Sequence, residues 1–219
     1  MFRDRADAGK KLADLLLQHH LGRCVVYGLP RGGVPVAFQV ARLLGKPLDI
    51  IIVKKIGAPE DEELALGAVA GNDPPLLYFN RSLMDALGYR EENLQSQIRA
   101  KQNEILLLRE KFQSGKGVTK DIDATAIIVD DGIATGATVK IAIMWLRSIA
   151  QKRIVVAVPV AQESVINDIL ELADEVVCIH PVSVLYSVGE YYGDFSQTSN
   201  EEVIMLLKRA NRMMKKYPS

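Results

Sequence analysis

Short apolar runs alternate along this chain with segments of helical periodicity, and this alternation restricts the fold more than any other feature. Most of the runs are apolar throughout and lack the every-other-residue pattern of a half-exposed strand. Continuous runs of this kind are typical of parallel strands that are covered on both faces. The predicted strands are residues 24–29, 48–53, 76–79, 125–129, 153–159 and 175–179, and the predicted helices are residues 4–18, 34–44, 91–113, 137–150, 163–172 and 201–215. We therefore predict an α/β fold, with a mostly parallel twisted sheet between layers of helices.

The length and apolar content of the chain favour a single domain. With 219 residues, 48% of them hydrophobic, the chain is long enough to bury one sizeable core, and we expect one domain over residues 1–219. Residues 56–73 combine glycines, a proline and an acidic run, so we expect a flexible loop there that closes over a site. Residues 88–115 are expected to form a helical insertion whose apolar stripe packs on its own domain, with a dimer seam as the alternative.

Charge and cysteine content narrow the classes of partner and compartment. The 27 basic and 27 acidic residues give a formal net charge of zero, which argues against nucleic acid as a partner because such binders usually carry a basic excess. Cys24 and Cys178 each lie beside an apolar run, as buried reduced thiols do. The first residues mix charges without an apolar leader, and no apolar run approaches the roughly 18 residues of a membrane span. We expect a cytoplasmic protein with no membrane partner.

Two acids and a phosphate-binding pattern follow the strand predicted at residues 125–129. Asp130 and Asp131 end the strand, and a short loop of small and hydroxyl residues leads into the next helix. Backbone N–H groups at a helix N-terminus favour a phosphate. The predicted donors are Ala134, Thr135, Gly136, Ala137 and Thr138. The two carboxylates would repel that phosphate, but they accept hydrogen bonds from vicinal hydroxyls and attract magnesium. The combination predicts a ribose diol beside a 5′-phosphate; the alternative is that the acids only cap the helix.

Two common nucleotide-binding patterns are missing from the sequence, and the pattern that is present resembles a known family. There is no G-x-x-x-x-G-K-S/T and no G-x-G-x-x-G, which disfavours P-loop nucleotidases and dinucleotide oxidoreductases. Residues 127–138, together with Ala126 before them, resemble the phosphoribosyl pyrophosphate motif of type I phosphoribosyltransferases: four apolar residues, two acids, two spacers, a small residue, Thr, Gly, any residue and Thr. Gly132 stands where the family usually has a larger aliphatic residue, so we expect looser packing under the loop. Residues 2–5, 28–33 and 190–195 extend the resemblance over nearly the whole chain, to a branch whose acceptor is unassigned.

The resemblance assigns the pyrophosphate to the turn after the first core strand. In this chain the turn contains Arg31, Gly32 and Gly33, where the glycines permit unusual backbone angles and open N–H groups, and the arginine adds a cation. Relatives often hold a non-proline cis peptide bond in this turn, so we predict one at one of the two bonds that flank Arg31. Lys54 and Lys55 follow the second strand, and the resemblance favours one or both as pyrophosphate ligands. A plain glycine turn and two solvated lysines are the alternatives.

The implied reaction is a magnesium-dependent transfer from phosphoribosyl pyrophosphate, in which a nitrogen base or a related small-molecule acceptor displaces pyrophosphate from ribose C1′. The resemblance implies catalytic roles for Asp130, Asp131, Arg31 and Lys55, with the two acids contacting Mg²⁺ directly or through water. Ala134 matches the pattern of adenine-type members, because it replaces the Asp to which 6-oxopurine enzymes assign proton transfer. A general acid or base, if one is used, would then come from the acidic run at residues 60–63.

The acceptor is expected under a hood at residues 180–198, outside the core sheet. Aromatic side chains lie close together there, and we take Tyr191 and Tyr192 as the candidates to stack on a flat base. Core packing under the hood explains the cluster nearly as well. Related enzymes are often dimers, so we expect a homodimer.

Two other functions use the same kind of site. One is a regulatory module that binds phosphoribosyl pyrophosphate or a nucleotide as a signal, without catalysis. The other is hydrolysis or phosphorolysis of a ribosyl phosphate. Fold alone does not separate these functions, whereas the complete set of Arg31, Lys55, Asp130 and Asp131 favours retained transfer chemistry.

Overall fold

A computed structural model describes residues 1–62, 64–71, 75–113 and 121–216 of the chain. In chain order its elements are α1 (Arg5–Leu16), β1 (Cys24–Gly28), α2 (Gly33–Leu44), β2 (Leu48–Ile50), β3 (Val53–Gly57), β4 (Ala65–Ala70), β5 (Leu76–Phe79), α3 (Arg81–Leu87), a 3-10 turn (Glu91–Leu94), α4 (Gln95–Gln113), β6 (Thr125–Val129), α5 (Ala137–Ser148), β7 (Arg153–Gln162), α6 (Glu163–Leu170), β8 (Glu175–Val182), a second 3-10 turn (Val188–Tyr191) and α7 (Asn200–Lys216). No helix in these ranges is long and apolar enough to span a bilayer.

The main sheet is parallel and has the strand order β2-β1-β6-β7-β8. Gly28, at the end of β1, pairs with Val129 of β6 on one side and with Ile50 of β2 on the other. The carboxyl ends of three strands therefore meet at one edge, where ligands bind in open parallel sheets. The predicted α/β fold is confirmed, but the strand predicted at residues 48–53 ends at Ile50 and the chain then enters a second sheet.

Residues of the main sheet alternate between two apolar cores, one on each face. Val26, Ile127 and Val155 are buried against α1, α2 and α7. Their sequence neighbours, among them Ile128 and Val156, are buried against α5 and α6 on the other face. Both faces are covered, which explains why the strands are apolar throughout.

The second sheet is antiparallel, has the order β3-β4-β5, and includes part of the segment for which a flexible loop was expected. That prediction was wrong for β4, whose residues are almost all buried. The glycines that suggested a loop instead permit close backbone pairing, since a Cβ on Gly67 would lie 2.4 Å from the Tyr78 carbonyl oxygen. In the β3–β4 connection, residues 58–62 and 64 are described and Glu63 is not; Asn72 and Asp73, at the end of the predicted loop, also lie outside the described residues. The mobility of that connection stays a prediction.

The predicted helical insertion contains the first 3-10 turn and α4, and its apolar stripe faces the protein itself. Ile98, Ile105 and Phe112 are buried in the same core as α2 and α7. The expectation that this helix packs on its own domain is confirmed for its apolar face. Residues 114 and 115, at the end of the predicted insertion, lie outside the described residues.

Candidate active site

The site is built where β1 and β6 end side by side. The Leu29 N–H, just beyond β1, donates to the Val129 carbonyl oxygen at 3.0 Å and so continues the pairing past the end of the strand. This bond brings the turn at residues 30–33 against the acids that follow β6. The resemblance assigned these two segments to one substrate, and the structure brings them into contact.

Gly32 and Gly33 are needed because the acids approach their backbone closely. A Cβ on Gly32 would lie 2.1 Å from Asp131 Oδ2, and one on Gly33 would lie 2.7 Å from the Val129 carbonyl oxygen. The expectation of unusual backbone angles was wrong, since Gly32 has an ordinary helical φ of −61°. The Gly33 N–H is not open to a ligand either, because it donates to the Leu29 carbonyl oxygen at 3.0 Å.

The turn contains a cis peptide bond between Pro30 and Arg31, at one of the two predicted positions. The Arg31 side chain lies in a cavity of about 350 Å³ beside this turn. The predicted cation is therefore present at the edge, exposed and available to an anion.

The two acids differ in their surroundings. Asp130 Oδ1 accepts a hydrogen bond from the Asp131 N–H at 2.9 Å. Burial and the neighbouring Asp131 carboxylate raise the pKa of Asp130 well above its usual value. Asp131 Oδ2 accepts from Arg5 Nε at 2.8 Å, and its pKa is raised by burial while this arginine acts in the opposite direction. One arginine from α1 thus offsets part of the negative charge of the two acids.

The loop after the acids is held by β7 and opens at the start of α5. The Ile133 N–H donates to the Val160 carbonyl oxygen at 2.9 Å, and the Gln162 N–H donates back to the Ile133 carbonyl oxygen at 3.3 Å. Gly136 caps α5 with a left-handed φ of 72° and brings no side chain to accept from the first turn. Ala134 and Thr135 are exposed. The loop surrounds a cavity of about 160 Å³, whose lining includes Asp130, Gly136, Ala137 and Thr138. The first N–H groups of a helix have no acceptor within it, so this cavity suits an anion.

Gly132 does not loosen the loop, contrary to expectation. A Cβ there would lie 2.5 Å from Val188 Cγ1 and 2.9 Å from Val160 Cγ1. Val188, from the second 3-10 turn, therefore takes the space that a larger side chain at position 132 would need. Val188 lies about 56 positions from Gly132 in the chain, so local sequence reasoning could not predict that it fills the volume of the missing side chain.

Lys54 and Lys55 lie on opposite faces of β3, because side chains alternate along a strand. Lys54 forms an ion pair with Glu104 of α4 and shares the 350 Å³ cavity with Arg31. Lys55 is exposed and lines the other side, in a cavity of about 510 Å³ that also reaches Thr135. The structure thus brings one lysine to the arginine of the turn and the other to the anion-binding loop.

The hood aromatics pack among themselves. Tyr192 is buried, its hydroxyl donates to the Asp131 carbonyl oxygen at 2.5 Å, and its ring lies 5.3 Å from that of Phe2 and 5.0 Å from that of Phe195. This burial contradicts the expectation that Tyr192 stacks on a base; it supports the acid loop instead. Tyr191 is half-buried beside His180, and its stacking on a base stays a prediction.

Sequence and structure comparisons identify the family. The sequence model of a family described as phosphoribosyl transferase domain matches residues 3–191. The chain belongs to this family. A protein of Mycobacterium tuberculosis, provisionally named a phosphoribosyl transferase in two strains of that organism, is 40% identical over 220 residues. The match covers 97% of this chain and 47% of that protein, so the chain spans about half the length of these relatives. The crystal structure of a Thermus thermophilus protein, TT1426, is similar with a TM-score of 0.80 and 36% identity, covering 95% of this chain and 98% of that one.

Two features of this phosphoribosyl transferase domain escaped sequence reasoning. One is the contact of Arg5 with Asp131, which joins positions 126 apart in the chain. The other is the extension of β7 to Gln162, three residues beyond the predicted end, which holds Ile133 in place. A signal existed for the first, since residues 2–5 belong to the pattern that resembles the family, but the pattern alone gave Arg5 no role.

The acidic side chains of this phosphoribosyl transferase domain limit how a metal is held. Within the described ranges, no group of three or more His, Cys, Asp or Glu side chains converges as a metal site. Asp130 and Asp131 are the predicted ligands, and one oxygen of each already accepts a hydrogen bond. Of the acidic run at residues 60–63, Glu60 accepts from the Tyr89 hydroxyl at 2.7 Å, and Glu63 lies outside the described residues.

Proposed function

We propose that this protein is a magnesium-dependent phosphoribosyltransferase that uses phosphoribosyl pyrophosphate and a nitrogen base or related acceptor. The observation that carries the proposal is the position of Asp130 and Asp131 between the turn at residues 30–33 and the anion-binding start of α5. A sugar with phosphate at both ends needs hydroxyl acceptors in the middle and anion sites on each side. The edge of the main sheet supplies this order.

The 5′-phosphate is assigned to the small cavity at the start of α5. Its lining residues Thr135 and Thr138 can add hydroxyl donors to the backbone N–H groups of the first helical turn. The helix dipole favours a negative charge at this end by about 0.3–1 kcal/mol. The site therefore binds a phosphate without needing a basic chain.

The pyrophosphate is assigned to the side where Arg31 and Lys54 share a cavity, with Lys55 on the opposite face of β3. An arginine brings a planar set of donors and a lysine brings a mobile point charge, and the two together suit a flexible polyanion such as pyrophosphate. Without ligand, Lys54 forms an ion pair with Glu104, so binding of pyrophosphate to Lys54 must compete with this glutamate.

The donor set fits a magnesium ion that takes most of its ligands from outside the protein. In the described part of the chain, Asp130 and Asp131 leave two carboxylate oxygens without a hydrogen bond, whereas Mg²⁺ has about six ligands. Water and substrate oxygens would fill the other positions. Bound with the substrate, magnesium would supply positive charge to the departing pyrophosphate.

In the reaction, the bond from C1′ to the pyrophosphate oxygen breaks and its electron pair leaves with pyrophosphate, while the acceptor nitrogen forms a new bond to C1′. The acceptor N–H proton passes to water or to a base. Asp130 and Asp131 accept from the ribose hydroxyls and hold the ring still, and their negative charge favours the positive character that develops at C1′. Arg31 and Lys54 hold the leaving group, and Lys55 adds positive charge from the opposite face of β3.

Compartment and assembly belong to the same proposal. Cys24 and Cys178 are both free thiols, which supports a reducing cytoplasm.

We also propose a homodimer, as expected from related enzymes. Equilibrium sedimentation of the purified protein tests this proposal, and a mass of one chain would contradict it.

Pyrophosphate release tests the function. The protein is incubated with Mg²⁺, phosphoribosyl pyrophosphate and each of a panel of nitrogen bases, and pyrophosphate is measured with and without the base. Release that depends on one base supports the transferase. Release without any base indicates hydrolysis, and binding without release indicates a regulatory module; either result contradicts the proposal. The Asp130→Asn/Asp131→Asn variant controls for a contaminating activity, since it should release none.

A further inference from the structure

Arg5 makes three contacts that join the N-terminal helix, the hood and the acid loop. Its Nε donates to Asp131 Oδ2 at 2.8 Å, and its Nη1 donates to the Ser196 carbonyl oxygen at 2.7 Å. The guanidinium carbon lies 3.9 Å from the centre of the Phe195 ring. The Arg5 side chain is only 12% exposed, and that of Asp131 is 15% exposed. An ion pair sheltered to this degree, with a planar ring beneath the cation, holds one geometry.

The segment before Arg5 is fixed to the hood by backbone pairing. The Phe2 N–H donates to the Tyr191 carbonyl oxygen at 2.7 Å, and the Gly193 and Asp194 N–H groups each donate back at 2.8 Å, to the carbonyl oxygens of Phe2 and Arg3. Tyr192, inside this pairing, donates its hydroxyl to the Asp131 carbonyl oxygen. The N-terminal segment and the hood thus reach Asp131 from two directions, one at its side chain and one at its backbone.

The contact also changes the charge that a substrate meets. Asp130 and Asp131 would together place two negative charges beside a phosphorylated sugar, at a cost that rises as water is excluded. Arg5 offsets one of these charges and occupies Oδ2 of Asp131, so Oδ1 is the oxygen that remains to accept from a hydroxyl. Arg3 offers a comparison within the same short motif, because its side chain is 79% exposed and forms an ion pair with Asp7 on the surface of α1.

We propose that Arg5 is a positioning residue for Asp131: it fixes the carboxylate in the orientation that receives a ribose hydroxyl and offsets its charge toward the phosphates of the substrate. The assignment rests on the proposed function, because it requires a phosphorylated ribose at this edge. It also gives a role to the N-terminal motif at residues 2–5, in which Phe2 anchors the segment, Asp4 caps α1 by accepting from the Asp7 N–H, and Arg5 reaches the site.

The assignment is tested by substituting Arg5 and by making the same substitution at Arg3 as a matched control. Arg5→Gln should weaken binding of phosphoribosyl pyrophosphate about 10- to 100-fold in calorimetric titration with Mg²⁺, in line with a buried hydrogen bond between charged groups. Arg3→Gln should stay within about twofold of the wild type. In steady-state assays, Arg5→Gln should raise KM for the sugar substrate and lower kcat while KM for the acceptor is unchanged; a purely structural role would not divide the two substrates in this way. Arg5→Lys keeps the charge without the planar donors, so it should recover part of the loss.

A double substitution separates this role from general damage to the fold. Because Arg5 acts through Asp131, Arg5→Gln combined with Asp131→Asn should bind the substrate no more weakly than Asp131→Asn alone. Circular dichroism confirms that each variant is folded, and if Arg5→Gln is not, Arg5→Lys carries the test, with weaker binding than wild type expected.

The outcomes also separate this assignment from the proposed function. Wild-type protein that fails to bind phosphoribosyl pyrophosphate contradicts the proposed function itself. The assignment of Arg5 is overturned if the wild type and the folded Arg5 variant bind phosphoribosyl pyrophosphate with equal affinity. It is also overturned if the losses of affinity from the two single substitutions add in the double variant. Either result leaves the proposed function unchanged.

Discussion

The loops at the edge of the main sheet and the neighbouring antiparallel sheet differ in how directly the sequence determines where their site residues lie. The loop at residues 130–138 follows directly from β6, so its acids and the glycine that caps α5 are neighbours in the chain. In the β3–β5 sheet, the positions of Lys54 and Lys55 depend on which strands pair and which face each side chain takes. In the proposed reaction, the edge loops carry the chemistry through residues that are neighbours in the chain, whereas the second sheet places its lysines through tertiary packing. Substitutions in the first region should therefore have larger effects than those in the second.

The largest effect is expected from the two acids. Asp130→Asn/Asp131→Asn removes the charge that stabilises the transition state in the proposed reaction, so turnover should fall at least about 100-fold. Asp123→Asn serves as the control, because Asp123 lies before β6, at the end of the strand opposite the acids, and forms an exposed ion pair with Lys152. Initial rates of pyrophosphate release measure both variants. Comparable rates in the acid variant and the control would show that the edge loops do not carry the reaction.

A smaller loss is expected from adding one methyl group to the turn. Gly33→Ala places a Cβ 2.7 Å from the Val129 carbonyl oxygen and 2.9 Å from Asp130 Cα, so the free energy of unfolding should fall by about 1–3 kcal/mol and the acids should shift. Gly193→Ala, whose nearest contact is 3.2 Å, should cost less. Urea unfolding measures the difference, and equal stabilities would mean that close approach is not what the turn requires.

Lys54 and Lys55 lie on opposite faces of β3, so their substitutions should weaken pyrophosphate binding to different extents. Lys54→Gln should weaken pyrophosphate binding about tenfold, since it removes the ammonium that shares a cavity with Arg31. Lys55→Gln should weaken it by no more than about threefold, because Lys55 lies on the opposite face of β3, beside Thr135. Calorimetric titration with pyrophosphate and Mg²⁺ measures both. A larger loss from Lys55→Gln would reverse our assignment of the two faces.

The smallest expected effect is a gain. Glu104→Gln frees Lys54 from its ion pair, and pyrophosphate should bind about two- to threefold more tightly, within the range of a partly exposed pair. Glu110→Gln, an exposed glutamate on the same helix, should change nothing. Weaker binding in Glu104→Gln would show that the glutamate positions the lysine instead of competing for it.

Much of the fold and part of the site were predictable because they depend on local order. The apolar runs predict the five parallel strands, with β2 shorter and β7 and β8 longer than predicted, and the small residues after the acids predict the loop that leads into α5. The strand predicted at residues 76–79 forms β5, but β3 and β4 were missed because Gly57 and Gly67 are typical of loops. In β4, Gly67 permits close pairing with β5. The roles of Arg5, Tyr192 and Val188 depend on contacts between distant segments, which no local pattern encodes.

The central claim is that the edge of the main sheet binds phosphoribosyl pyrophosphate through its paired acids and the start of α5. Calorimetric titration of phosphoribosyl pyrophosphate, with Mg²⁺ present, into the wild type and into Asp130→Asn/Asp131→Asn tests this claim most directly. We predict saturable binding of one molecule per chain to the wild type and at least about tenfold weaker binding to the variant. Absence of binding to the wild type, or equal affinity in the two proteins, would contradict it.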